Sequence, residues 1–230
     1  MTTEKTENSV SEVICTVDVV LLTLDETGLK VALLQRDKPP FQDSATLPGG
    51  YIHAEEDADT HAAAFRVLKQ KTGIDAPYLE QLATFSGPKR DPRGWSVSIA
   101  YYALVPFDVI EPACSSGLNL VSVDATMSLP FDHDTILAAA VARLRSKSQY
   151  SSLPCYLLGQ SFTLPQLQRV YEALLGEAIN KVSFRRKMTE MDMLEAIDGQ
   201  FTASGAHRPA QLYRLKSSYL QALQMLKRGL

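Results

Sequence analysis

"LPGGYIHAEEDADTHAAAFRVLKQKTGI", residues 47–74, decides how the rest of the chain is read. Paired glycines, Gly49 and Gly50, close a loop, and a helix over about 57–72 follows, with Ala58, Ala62, Phe65 and Leu68 at helical spacing. Gly73 stands where a glycine in the left-handed conformation ends a helix. The second half of this helix holds no carboxylate: none occurs between Arg66 and Gly73. Positions 67, 70 and 71 share one face because residues three and four apart are neighbours on a helix. Val67, Gln70 and Lys71 therefore offer an isopropyl group, an amide and an ammonium, a formal charge of +1.

On the N-terminal side, "VICTVDVVLLTL", the turn "DETG" and "LKVALLQR" predict a β-hairpin. On the C-terminal side, "QLATFSG" and "SVSIAYYALVP" predict strands flanking the basic turn "PKRDPRGW"; an irregular stretch leads to the helix "HDTILAAAVARLRSKS". Residues 13–148 thus read as a mixed α/β unit with helices packed on a sheet. The pattern then changes. "FTLPQLQRVYEALLG" predicts a helix capped by Thr163, with Pro165 in its first turn and Gly176 as its stop. A short turn leads to "NKVSFRRKMTEM", a second helix with Asn180 as candidate cap, and "MLEAIDG" and "AQLYRLK" predict two strands joined by "QFTASGAHRP". The chain closes on the amphipathic "SSYLQALQMLKR". The expected division is 1–150 and 151–230, with its boundary in "SKSQYSSLP".

Composition is that of a folded soluble protein: 230 residues, 45% hydrophobic, 21% charged. The polar start "MTTEKTENSVSEV" has neither a basic nor an apolar region of a signal peptide, and no stretch approaches a membrane span. Three widely spaced cysteines, Cys15, Cys114 and Cys155, fit reduced thiols in a cytoplasm better than a disulfide framework or zinc site. The net charge of −3 is unevenly shared: residues 151–230 hold ten Lys/Arg against six Asp/Glu, while residues 1–150 hold 13 against 20. A basic tail on an acidic body suggests different partners for the halves; scatter is the alternative.

Gly49, Gly50, Glu56, Arg66, Leu68, Gly73 and Ile74 carry a resemblance to the Nudix box, which in active members reads G, five residues, E, seven residues, R-E-U-x-E-E-x-G-U, U being bulky and apolar. The resemblance covers roughly residues 13–148 and departs from the pattern twice. Gly50 and Arg66 are 16 apart instead of 14, and Val67, Gln70 and Lys71 occupy the three helical Glu positions. The resemblance implies that carboxylates there would hold Mg²⁺ against a pyrophosphate, and Mg²⁺ wants oxygen ligands. This face lacks them, so no catalytic residue, metal or cofactor is expected. Glu55, Glu56 and Asp57 survive just before the helix, as a weak cation site or a solvated loop. Such a pocket can still bind. Arg36, Gly49, Gly50, Arg66, Lys71, Lys89, Arg90, Arg93 and Trp95 are its candidate effector-binding residues, since Arg suits bidentate phosphate contacts and an aromatic stacks on a base. The "DPRG" turn resembles those of ADP-ribose-specific Nudix domains. The alternative is an exposed basic turn with Trp95 as core filler.

In the second half, helix, turn, basic helix, hairpin and Arg-Pro tip are ordered as in a winged helix. Lys181, Ser183, Arg185, Arg186 and Lys187 are placed to reach phosphates and base edges, with Val182, Phe184 and Met188 as the anchoring side. Thr163 and Gln166 at the first helix, and His207 and Arg208 in the wing, complete the candidate DNA-binding set. Together, "TLPQLQRVYEALLG", "FRRKM" and "RPAQLYRLK" after a Nudix-like unit resemble the Nudix-related transcriptional regulators of NAD metabolism (NrtR type) over nearly the whole chain. The resemblance implies a cytoplasmic, homodimeric repressor that binds a double-stranded DNA operator and senses ADP-ribose or a related NAD metabolite. Two rivals stand beside it: an active Nudix hydrolase of ADP-ribose with a fused DNA-binding domain, and an adaptor whose winged helix binds a protein.

Overall fold

The computed structural model describes residues 12–125, 127–202 and 209–221. The hairpin is β1 (Ile14–Asp25) and β2 (Gly28–Gln35). Short strands β3 (Ala45–Thr46) and β4 (Gly49–Tyr51) precede helix α1 (Thr60–Thr72); β5 (Tyr78–Gly87), β6 (Ser96–Leu104), helix α2 (Phe107–Cys114), β7 (Asn119–Ser122) and helix α3 (His133–Ser148) follow. The sheet runs β3-β2-β1-β6-β5, with β4 also pairing β1 and β7 pairing β2. β1 and β6 are parallel; the other pairs are antiparallel.

β1 explains the unbroken apolar run that the sequence shows. Successive side chains point to opposite faces, and both faces are covered. Val17, Val19 and Leu21 meet α1 and α2 in one cluster, while Val20 and Leu22 join α3 in another. Each such side chain, buried fully, contributes about 1.5–3 kcal/mol.

α1 corrects the stripe read from sequence. The helix starts at Thr60, where Asp59 accepts a hydrogen bond from the Ala62 N–H, and Ala63, Ala64, Val67 and Leu68 face the sheet. Phe65 is 44% exposed. Small alanines let the helix approach the strands closely, so the larger Phe65 is turned outward. α2 lies within the stretch read as irregular. Pro112 in an eight-residue helix and one buried apolar residue, Ile110, left it no legible stripe.

The second half opens with a 3-10 turn (Leu153–Leu157), then α4 (Leu164–Leu175), α5 (Lys181–Met191), β8 (Leu194–Phe201), β9 (Gln211–Leu215) and α6 (Ser217–Gln221). Phe162 adds an antiparallel bridge to Tyr213, which completes the winged-helix arrangement. The expected boundary is packed: Ser148, Ser151 and Ser152 are buried, and Ser148 and Ser151 donate to the carbonyls of Leu144 and Lys147 at 2.7 Å. Tyr171 donates to the Ser151 carbonyl at 3.1 Å. One hydrophobic cluster runs from Val20 and Tyr102 through α3 (Leu137, Leu144) into Tyr171, Phe184 and Met188. Among the described residues, no helix is long and apolar enough to cross a membrane.

Candidate ligand cleft and nucleic-acid interface

A cleft of about 700 Å³ opens between α1, β4, the loop after β2 and the turn before β6. Of the expected residues, Arg36, Gly49, Gly50, Arg66, Lys71, Arg90 and Arg93 line it; Lys89 and Trp95 do not. Trp95 is 45% exposed and is therefore neither a stacking platform in this cleft nor core filler. Its neighbour Ser96 points inward beside Arg90, and strand alternation sends Trp95 the other way.

Local sequence fixes the floor. A Cβ on Gly49 would lie 2.1 Å from Oδ1 of Asp18, so only glycine lets β4 sit so close to β1. A Cβ on Gly50 would meet a Val67 methyl at 3.0 Å. Val67, 2% exposed, thus fills with hydrocarbon the place where the Nudix pattern puts a carboxylate; Gln70 and Lys71 beside it are exposed. A divalent cation does not fit this donor set.

The arginines are committed to the protein itself. Arg66 makes a two-bond contact with Asp57, both at 2.7 Å, and donates to the Tyr51 carbonyl at 3.0 Å. The hydrogen bond from Arg66 holds the Asp57 carboxyl down at about 2. Asp57 and Glu56, two of the three surviving acids, are thus turned toward Arg66 and His53, whose Nδ1 lies 3.0 Å from Glu56. Arg90 is almost fully covered; it clamps Asp132 at 2.8 and 3.0 Å and reaches Asp18 at 3.5 Å. Arg93 folds back on Asp91 and lies over the Tyr51 ring, 5.5 Å from its centre. Burial pushes the Asp91 carboxyl up, but the bonds from Arg93 outweigh it and the net direction is down.

Beneath them lies a polar network that the sequence reading missed. Asp18, on the central strand and 6% exposed, accepts from Ser98 at 2.6 Å and faces His133 Nε2 at 3.4 Å. Burial pushes its carboxyl up; His133, Ser98 and Arg90 outweigh this and hold it below the usual range. The Leu47 N–H points at Nδ1 of His133 at 3.3 Å. A charged residue inside "VICTVDVVLL" was the available signal, because an isolated buried charge requires partners. Arg36 has a different setting. It donates to the Pro40 carbonyl at 2.8 Å and lies 5.0 Å from the Phe131 ring centre. Phe131 in turn meets Phe41 edge to face at 4.9 Å, giving the rim an aromatic shelf.

The second site is built from α4 outward. Thr163 and Gln166 form a capping box on α4, and Thr163 is only 5% exposed. Thr163 is corrected to a structural cap: its hydroxyl is used in holding the helix start. Glu172 accepts from Gln168 and from the Ile179 N–H, both at 2.9 Å, which sets the turn into α5. Asn180 caps α5 by accepting from Val182 and Ser183. Phe184 and Met188 enter the core, but Val182 is 76% exposed, so the anchoring side is narrower than expected. Residues 184, 188 and 191 make the inward stripe, and Val182 falls outside it. Lys181, Ser183, Arg185 and Arg186 are exposed; Lys187 is half-buried. Arg186 lies 3.7 Å from Glu190 one turn on. In the hairpin, Gln211 bonds the carbonyls of Ile197 and Gln200, pinning an irregular stretch near the wing. His207 and Arg208 lie outside the described residues.

Two family models match the chain. Residues 15–143 match the family described as NUDIX domain, and residues 154–215 match the NrtR DNA-binding winged helix domain. The chain is 41% identical over 203 residues to a protein of Acinetobacter baylyi named ADPR responsive transcriptional repressor NtrR, covering 86% of this chain and 80% of that one. It is similar to the crystal structure of Shewanella oneidensis NrtR complexed with a 27mer DNA: TM-score 0.86, 37% identity, 94% of this chain and 99% of that chain. It also resembles the Nudix domain of the Shewanella protein complexed with ADP ribose: TM-score 0.53, 33% identity, 61% of this chain and 94% of that chain.

Proposed function

This chain belongs to the Nudix family, with an NrtR-type winged helix as its second half, and we propose that it is a transcriptional repressor released from DNA by ADP-ribose or a related NAD metabolite. The carrying observation is the continuous core: α3 begins in the cleft, at Asp132 and His133, and its far half packs on α4. A ligand that favours one setting of the Asp132–Arg90 clamp or of His133 shifts α3, and with it α4 and the exposed basic face of α5. It works only by preferring one arrangement over the other.

In this reading residues 1–150 bind the ligand and 151–230 bind the operator. Lys181, Ser183, Arg185 and Arg186 contact DNA, with Gln166 at the exposed start of α4 as a backbone contact. The repressor acts in the cytoplasm as a homodimer on two half-sites, since one winged helix presents one recognition helix. The Nudix half binds and does not cleave, because its helix face offers valine, amide and ammonium in place of carboxylates.

Fluorescence anisotropy on DNA from upstream of the chain's own gene neighbourhood, titrated with ADP-ribose, tests this. The complex is expected to form and to dissolve, with the ligand recovered intact by chromatography. Mg²⁺-dependent turnover at rates typical of enzymes, ~1–10³ s⁻¹, would establish the hydrolase instead. Binding to duplex DNA that ignores salt would favour the protein adaptor, because phosphate contacts release counterions.

A further inference from the structure

The charge in the cleft is not where a basic-residue count puts it. Arg66, Arg90 and Arg93 are each balanced by an aspartate at 2.7–2.8 Å, and Arg36 is held at the rim by the Pro40 carbonyl and the Phe131 ring. Lys71 on α1 and Lys38 on the loop after β2 line the same cleft, and neither has an ion-pair or hydrogen-bond partner among the described residues. Both are exposed. Lys71 also stands at one of the three positions where the Nudix pattern calls for a metal-binding carboxylate, and Val67 fills another with hydrocarbon. Among the described residues, no group of three or more His, Cys, Asp or Glu is placed to hold a metal ion.

We propose that the cleft binds its diphosphate ligand without a divalent cation, Lys71 and Lys38 supplying the positive charge that a metal would otherwise bring. This rests on the reading of the ligand as ADP-ribose or a close relative. A dinucleotide-like diphosphate carries two negative charges on adjacent groups. An ammonium meets such oxygens with short charge-assisted hydrogen bonds and needs no fixed fork geometry. The same ammonium repels Mg²⁺, so the two solutions exclude each other at position 71. Arg66, Arg90 and Arg93 keep the walls in shape and Arg36 is tied to the rim, while the two lysines remain available to the ligand.

Calorimetric titration of the full chain with ADP-ribose, in EDTA and in millimolar Mg²⁺, reads this out. The expected result is the same Kd in both within about twofold, and a weakening of about tenfold for each of Lys71→Gln and Lys38→Gln, ~1.4 kcal/mol. Lys71→Glu should lose more than Lys71→Gln at unchanged melting temperature, a dependence on charge that a structural role for this exposed side chain would not produce. Wild-type binding that requires Mg²⁺, or normal binding by both Gln variants, overturns the proposal and leaves the repressor reading intact. A chain that holds DNA but ignores ADP-ribose in both buffers overturns the effector identity itself, and this proposal with it.

Discussion

The turn before β6 and the face of α5 are both short basic stretches, "PKRDPRGW" and "KVSFRRK", and folding treats them in opposite ways. In the turn, Arg90 is buried between Asp132 and Asp18, and Arg93 is folded onto Asp91. On α5, Arg185 is exposed with no side-chain partner among the described residues, and Arg186 has only a long contact to Glu190 in open solvent. Such an exposed pair is worth about 0–1 kcal/mol. A basic residue therefore points to a ligand only when its charge is not already neutralised within the fold. One arginine cluster is held inside the fold by aspartates, and the other lies exposed on a helix face.

Arg90→Ala tests the buried arginine directly. Removing it leaves Asp18 and Asp132 uncompensated in a covered site, and a loss of about 3–5 kcal/mol in chemical denaturation is expected. A loss under 1 kcal/mol would mean that Arg90 is no more structural than the arginines of α5. Arg185→Ala is the mirror experiment. Operator affinity should fall by about 1–3 kcal/mol if Arg185 reads a base edge, or with a salt slope reduced by about 1 if it meets a phosphate. Stability should stay within about 0.5 kcal/mol of the parent, as for other surface changes. Unchanged DNA binding would remove Arg185 from the interface.

Thr163→Ala sharpens the boundary between the two kinds of residue. Loss of the cap should cost about 1 kcal/mol of stability, with operator affinity at saturating folding unchanged. A selective loss of DNA affinity would return Thr163 to the interface. The smallest effect concerns pH. The Asp57 carboxyl is lowered from its ordinary value of 3.8 to about 2 by Arg66. A group lowered in this way stabilises the fold fully above the higher value and loses its contribution as pH falls through the lower one. Asp57→Asn should therefore be less stable near neutrality and should flatten the acid limb between about 4 and 2; parallel curves for parent and variant would exclude the pair as its source.

The β1–β2 hairpin, β5, β6, α1 and α3, the order from α4 to β9, and the capping of α4 and α5 were legible in periodicity and punctuation, which act over a few residues; β3, β4, α2 and β7 were not. The errors have a common form. Phe65 and Val182 were assigned inward and face water, while Asp18 and His133 were passed over and lie inside. Hydrophobicity identifies side chains that gain from burial, but which helix face is buried depends on how closely the partner strand approaches. Here that is set by Ala63, Ala64 and the glycines of β4.

That α1 lacks a metal-binding carboxylate face, and that a basic helix follows a capped one, can be read from residue identity and local spacing alone. Which cations remain uncompensated depends on how distant segments pack together. Asp18 and Asp132 are brought to Arg90 from a strand and from the loop before α3, and charge pairing over such sequence distances is settled by packing and desolvation rather than by local order.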